Sequence, residues 1–426
     1  MRKFLAGLLA VSVLVCVALG AVYFYGVHEP ASPSTVDRGA VDQSPVAEGP
    51  EQLELGRYLA LTGNCMGCHT VTGGQPYAGG TPIATPFGTL YGPNITASVE
   101  QGIGRWTADD FWRAMHHGKG PEGKLLYPAF PFTEYTNVTR RDADALFVYL
   151  RSLPTSDVPS RAHALDFPYN QRALLGLWRA LYFTPGGKPF DASEDLAWNR
   201  GRYLVEGLAH CAACHTPRTR LGASDSSRAL AGGSIMGLDW YAPALTGDTH
   251  AGLGRWDAAD IAALLRDGVS RQGAATGPMA EVVAQSTQHM SPSDALAIGT
   301  YLKSLPAPAA ASAPPPPSAA AMQIGKRVYE QQCVQCHQAS GEGAPTAWPA
   351  LAGNTSVTAT SPVNIIKVIL DGGYAVATPG NPRPHGMPPF SQVLSDNDIA
   401  ALVTFVRNSW GNAAGEVQPF EVKRAR

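Results

Sequence analysis

Polar and apolar positions follow the same course in three stretches: TRRDADALFVYLRSLP (139–154), SPSDALAIGTYLKSLP (291–306) and SDNDIAALVTFVRNSW (395–410). Each opens on a hydroxyl residue (Thr139, Ser291 or Ser395). An aspartate (Asp142, Asp294 or Asp398) follows three places on, the spacing at which a helix N-cap and its reciprocal partner exchange bonds. Behind the cap, Leu146, Leu150 and Leu153 recur at the spacing of one buried helical face. Two earlier stretches also echo each other, GIGRWTADDFWRAM (102–115) and GLGRWDAADIAALL (252–265). A glycine followed by a basic residue opens each unit, at Gly56-Arg57, Gly201-Arg202 and Gly325-Lys326. The pattern predicts an all-α chain of three tandem repeats, 50–155, 196–305 and 322–412, built from short helices and long loops. A connecting helical segment, 156–195, carries FPYNQRALLGLWRALYF, whose apolar side either docks on neighbouring domains or faces a partner or membrane. PAPAAASAPPPPSAAA (306–321) reads as a stiff Pro/Ala linker.

The N-terminus breaks this pattern. Arg2 and Lys3 precede an uncharged run from Phe4 to Val27, 24 residues long. A helix crosses a bilayer in ~20 apolar residues, whereas the apolar core of a cleavable signal is usually ~7–15. Residues 1–27 therefore predict a transmembrane signal anchor, with the basic end inside and the remainder exported. A signal cleaved at Ala18-Leu19-Gly20 is the competing reading. Cys16 lies within the run as a small apolar residue.

Composition narrows the function. The 426 residues carry a net charge of −2, which offers nucleic acid no basic field. Glycine (45) and proline (35) are abundant, which suits loop-rich units of about 100 residues. Units of that size build only a modest core of their own.

The other six cysteines supply the missing centre. They fall in CMGCH (65–69), CAACH (211–215) and CVQCH (333–337). Two thiols three residues apart lie on one helical turn and add to the two vinyl groups of a haem. The adjacent histidine then reaches the iron from the same side. Disulfides would give those histidines no role. A structural zinc draws four ligands from nearby pairs, and these pairs are 146 and 122 residues apart. The expectation is three covalently bound haem c groups. Cys65, Cys68, Cys211, Cys214, Cys333 and Cys336 are the attachment points, and His69, His215 and His337 the iron ligands.

With its haem motifs, NQRALLGLWRALYF, AWNRGRYLVEGLAHCAACHTPR and VRNSWGN, the chain resembles the triheme cytochrome c subunit of bacterial membrane-bound dehydrogenases. These act on alcohols, gluconate, sorbitol, fructose or aldehydes, and the resemblance runs from about residue 50 to 412. It implies three cytochrome c domains beside a catalytic subunit of quinoprotein, flavin or molybdenum type. It also implies electron delivery to ubiquinone or a terminal oxidase, on the periplasmic side of the bacterial cytoplasmic membrane. Met279 and Met387 match the family's distal methionines. The chain would then be the electron-transfer subunit of an oxidoreductase complex, with no catalytic residue of its own.

The first repeat departs from that pattern. Met279 follows His215 by 64 residues and Met387 follows His337 by 50, but 61 residues after His69 stands Phe130. A benzyl side chain offers iron no lone pair. Substitutes lie nearby in AMHHGKG, at Met115, His116 and His117. Against them stands the reading that Met115 is core and both histidines are solvated, leaving the iron five-coordinate or bound to water. An open first site keeps alive a second class of function, a peroxidase-like haem enzyme.

Overall fold

In a computed structural model the described residues are 17, 20–24, 26–27, 49–307, 314–344 and 347–426. Most of the predicted N-terminal anchor, and the middle of the Pro/Ala linker, lie outside them. Among the described residues no helix is long and apolar enough to cross a membrane. The described chain divides into two compact units. One gathers Met1–Leu59, Cys68–Asp191 and Arg220–Ala223; the other gathers Ala60–Gly67, Ala192–Thr219 and Ser224–Arg426.

The helices that frame the first repeat are α1 (Pro50–Thr62), α2 (Cys65–His69), α3 (Ala108–His117) and α4 (Arg140–Ser152), followed by α5 (Leu175–Tyr182) in the connecting segment. In the second repeat come α6 (Leu196–Tyr203), α7 (Ala212–His215), α8 (Ala258–Asp267), α9 (Pro278–Gln285) and α10 (Pro292–Ser304). The third has α11 (Ala319–Gln332), α12 (Val334–His337), α13 (Val363–Asp371) and α14 (Asp396–Arg407). Helices dominate, and part of what the sequence left as loop pairs into short antiparallel strands. Pro82–Thr85 pairs with Gly88–Tyr91, which also pairs with Ala164–Leu165; Gly233–Ile235 pairs with Trp240–Ala242. Strands of two to four residues are too short to imprint a period-two pattern.

The closing helices α4, α10 and α14 start where the caps predict. Thr139, Ser291 and Ser395 each accept a hydrogen bond from the backbone N–H of the aspartate three residues on. The reciprocal bond completes the box at Asp398. Asp294 instead takes a two-pronged bond from Arg200, at 2.8 and 2.7 Å. Leu146 and Leu150 are buried as expected. Leu153 is not on the helix: α4 ends at Ser152 and Leu153 is extended, with ψ 150°, because the following Pro154 disfavours helical backbone in the residue before it.

The glycine-basic openings have one physical cause. A Cβ on Gly56 would lie 2.0 Å from the Ala145 carbonyl oxygen, on Gly201 2.0 Å from that of Ala297, and on Gly325 2.0 Å from that of Ala401. In every repeat the opening helix therefore crosses the closing helix backbone to backbone, and only hydrogen fits between. Gly325→Ala is expected to force α11 and α14 apart at a cost of about 1–3 kcal/mol, the range for overpacking a tight contact. A lower unfolding midpoint of the third repeat, followed by denaturant titration, would register it; an unchanged midpoint would refute it.

The connecting segment packs on the first repeat through Leu175, Gly176 and Arg179, the buried residues of α5. Arg179 on α5 is 1% exposed and donates to the carbonyls of His117 (2.6 Å) and Gly26 (3.0 Å). Its guanidinium lies over the Phe132 and Phe183 rings. At His117 the positive charge thus meets the carboxyl end of α3, where carbonyl dipoles favour it. Lys119 adds a bond to the Val27 carbonyl at 2.8 Å.

Candidate haem sites

The motif residues 65–69, 211–215 and 333–337 each form one short helical turn: α2 contains all of CMGCH, while Cys211 and Cys333 cap α7 and α12. A single turn places residues i and i+3 on the same side, so local backbone suffices to present both sulfurs of each pair together. None of the six described cysteines is disulfide-bonded. Burial pushes the Cys211 thiol up to about 12 and the Cys333 thiol up to about 11, with the neighbouring cysteine of each pair adding to the rise. Such surroundings oppose a thiolate, the form in which cysteine binds zinc. Among the described residues no group of three or more His, Cys, Asp or Glu is arranged to hold a metal ion.

Each motif histidine is held the same way. The Nδ1–H of His69 donates to the Pro93 carbonyl at 2.8 Å, that of His215 to Pro243 at 2.7 Å, and that of His337 to Pro349 at 3.0 Å. Burial lowers the pKa of all three rings, more strongly than the proline carbonyls raise it. The result is a neutral imidazole with its proton fixed on Nδ1, leaving the Nε2 lone pair for iron. The sequence offers no signal for the carbonyls of Pro93, Pro243 and Pro349 in this role. The partners lie 24, 28 and 12 residues beyond their histidines, and no fixed spacing reveals such a contact.

In the third repeat the expected ligands come together. A chamber with about 720 Å³ of empty space, part of it open to solvent, is lined by Cys333, His337 and Met387, with Pro349 and apolar residues such as Ile365 and Leu402. Met387 is held there by the pairing of Gly386–Met387 with Gly373–Tyr374. A chamber walled by hydrocarbon, with one imidazole and one thioether, suits an apolar porphyrin carrying a soft iron centre. In the second repeat Met279 stands half-buried in the first turn of α9. Trp256, 4% exposed, has a buried indole Nε1–H with no hydrogen-bond partner. No acceptor for it is found among the described residues, and a haem propionate would provide one.

The first repeat looks different. Phe130 is half-buried and packs edge-on against Tyr135, ring centroids 5.3 Å apart. Met115 is buried, as its helical position predicts. His116, offered either as a substitute ligand or as a solvated residue, is also only 4% exposed, with its ring stacked on Trp112 at 4.3 Å. One turn of α3 separates residues 112 and 116, so the two flat rings meet on one helical face. His117 is half-buried beside it. His210, just before the second motif, bonds through Nε2 to the Gly63 carbonyl at 3.2 Å. The lead-in to the first motif thereby touches the residue before the second.

A family model described as Cytochrome c matches residues 53–154, 199–306 and 322–410. The chain belongs to the cytochrome c family. A gluconate 2-dehydrogenase cytochrome c subunit from Pantoea cypripedii is 39% identical over 85% of this chain and 86% of its own length. The cytochrome c subunit of a quinone-dependent alcohol dehydrogenase from Gluconobacter oxydans is 36% identical over 88% of this chain and 82% of its own. A fructose dehydrogenase cytochrome subunit from Gluconobacter japonicus is 36% identical over 90% and 85%. With three cytochrome c domains, this cytochrome carries three covalently bound haem c groups, and its role is electron transfer. Bound haem supplies a one-electron iron couple; the polypeptide supplies covalent attachment, a neutral imidazole of fixed tautomer and low-dielectric walls.

Proposed function

We propose that this cytochrome accepts electrons from a dehydrogenase catalytic subunit and passes them through its three haems to ubiquinone or a terminal oxidase. The partner oxidises an alcohol, polyol, sugar acid or aldehyde, by quinoprotein, flavin or molybdenum chemistry. The complex sits on the periplasmic face of the bacterial cytoplasmic membrane, held by the N-terminal apolar run as an uncleaved anchor. Attachment is through Cys65, Cys68, Cys211, Cys214, Cys333 and Cys336. His69, His215 and His337 are the proximal ligands, and Met279 and Met387 the distal ones. The observation that carries the reading is the shared geometry of the motif histidines, each locked by a proline carbonyl, in a chain similar along most of its length to dehydrogenase cytochrome subunits. Detergent extraction and affinity capture of the full chain should bring down a large dehydrogenase subunit whose substrate reduces the haems. Capture of the haem-loaded chain alone, with no such reduction, would overturn the reading.

The first haem should differ from the other two. With Phe130 in place of a methionine, its iron takes His116, His117, Met115 or no side chain as its sixth ligand. A histidine would favour ferric iron and lower the potential. Spectroelectrochemical titration is expected to resolve one component apart from the other two; three equal potentials with methionine-type spectra would refute this. The peroxidase-like alternative is not favoured, since the relatives are named as cytochrome subunits of dehydrogenases.

A further inference from the structure

The third cavity is not closed by the third repeat alone. Ala274 and Thr276, from the second repeat, complete its wall. They follow from a small hairpin in which Val269–Ser270 pairs with Gly273–Ala274. The chain then runs through Gly277 and Pro278 directly into Met279. The hairpin lies flush on the third repeat: a Cβ on Gly273 would sit 2.8 Å from Nδ2 of Asn354, itself a wall residue.

Several bonds hold this arrangement in register. Asn364, 5% exposed and also on the cavity wall, accepts from the Tyr241 N–H at 2.9 Å and donates to the Tyr241 carbonyl at 2.7 Å. One side-chain amide thus reproduces the paired bonds of an added strand. Thr378 Oγ1 donates to the Asp267 carbonyl at 2.9 Å, at the end of α8. Leaving such buried groups unpaired is costly, so the contact is specific as well as close.

We infer that the 273–276 segment of the second repeat is a built part of the third haem's site, and that Gly273–Met279 is the short link between the second and third haems. The inference rests on the ligand assignment proposed above. Thr276 walls one cavity and Met279 reaches for the neighbouring iron. The three Cα–Cα steps between them span at most ~11 Å. Transfer along this link oxidises one ferrous centre and reduces one ferric centre by a single electron; no bond breaks and no proton moves. Ala274 and Thr276 shield the third haem from water and so help set its potential. They act as positioning residues, not as ligands.

Mere packing between repeats would make Thr276 matter for stability and not for potential. The test is a redox titration of the haem-loaded full chain, with the third component identified as the one displaced in a Met387→Leu variant. In Thr276→Asp, a carboxylate on the cavity wall should stabilise ferric iron. That component's reduction equilibrium constant should fall at least tenfold, while the first haem's component stays in place. Asn364→Leu, which removes both amide bonds without adding charge, should move the same component in the same direction; it serves as the readout if Thr276→Asp fails to mature. A Met387-sensitive component unmoved in whichever variants retain three haems would overturn the inference. Fewer than three haems in the parent chain would instead sink the haem assignment on which it rests.

Discussion

A chain with both Cys333→Ser and Cys336→Ser is expected to mature with two covalent haems instead of three, and with its third domain unfolded. The physical ground is the apolar wall left behind, which includes Ile365, Val368, Ile369, Leu402 and Val406. Burying one such side chain contributes about 1.5–3 kcal/mol, so exposing several of them to water is large against the ~5–15 kcal/mol that stabilises an entire domain. Val403, Ile399, Ile366 and Leu370 pack against one another but do not fill the chamber. Alkaline pyridine extraction would count the haems per chain, and limited proteolysis would report the state of residues 322–412. A third domain that resists protease without its haem would contradict the argument.

Met387→Leu is expected to lower the potential of one haem while leaving all three attached. Leucine nearly keeps the volume and removes the sulfur, so the wall stays closed while the iron loses its thioether. A thioether is a soft, weak donor that favours ferrous iron, and its loss shifts the balance to ferric. Since ~59 mV is a tenfold change for one electron, a ligand exchange of this kind should exceed that value. Because Met387 is carried by a strand pair and not by the cysteine-bearing turn, haem content should stay at three. A titration in which every component keeps its potential would remove Met387 from the iron.

Local chemistry was readable from residues close together in the chain. The attachment motifs, the caps at Thr139, Ser291 and Ser395, and the glycine openings all appear as short patterns, because each depends on one turn of helix or one crossing. The burial of His116, one of the alternatives left open at the first site, was less readable, because it comes from the flat Trp112 ring that covers it. Periodicity counts the positions on a helix; it does not count what neighbouring side chains hide.

By itself, then, the sequence determined three haem-bearing repeats, since thiol pair and imidazole lie within five residues of each other in every motif. Only the tertiary structure decided which proline carbonyl fixes each imidazole, that Met387 shares a chamber with His337, and that Ala274 and Thr276 finish that chamber. Those contacts join segments 12 to more than 100 residues apart. Their partners are selected by how helices and loops pack in space, and no spacing along the chain encodes them.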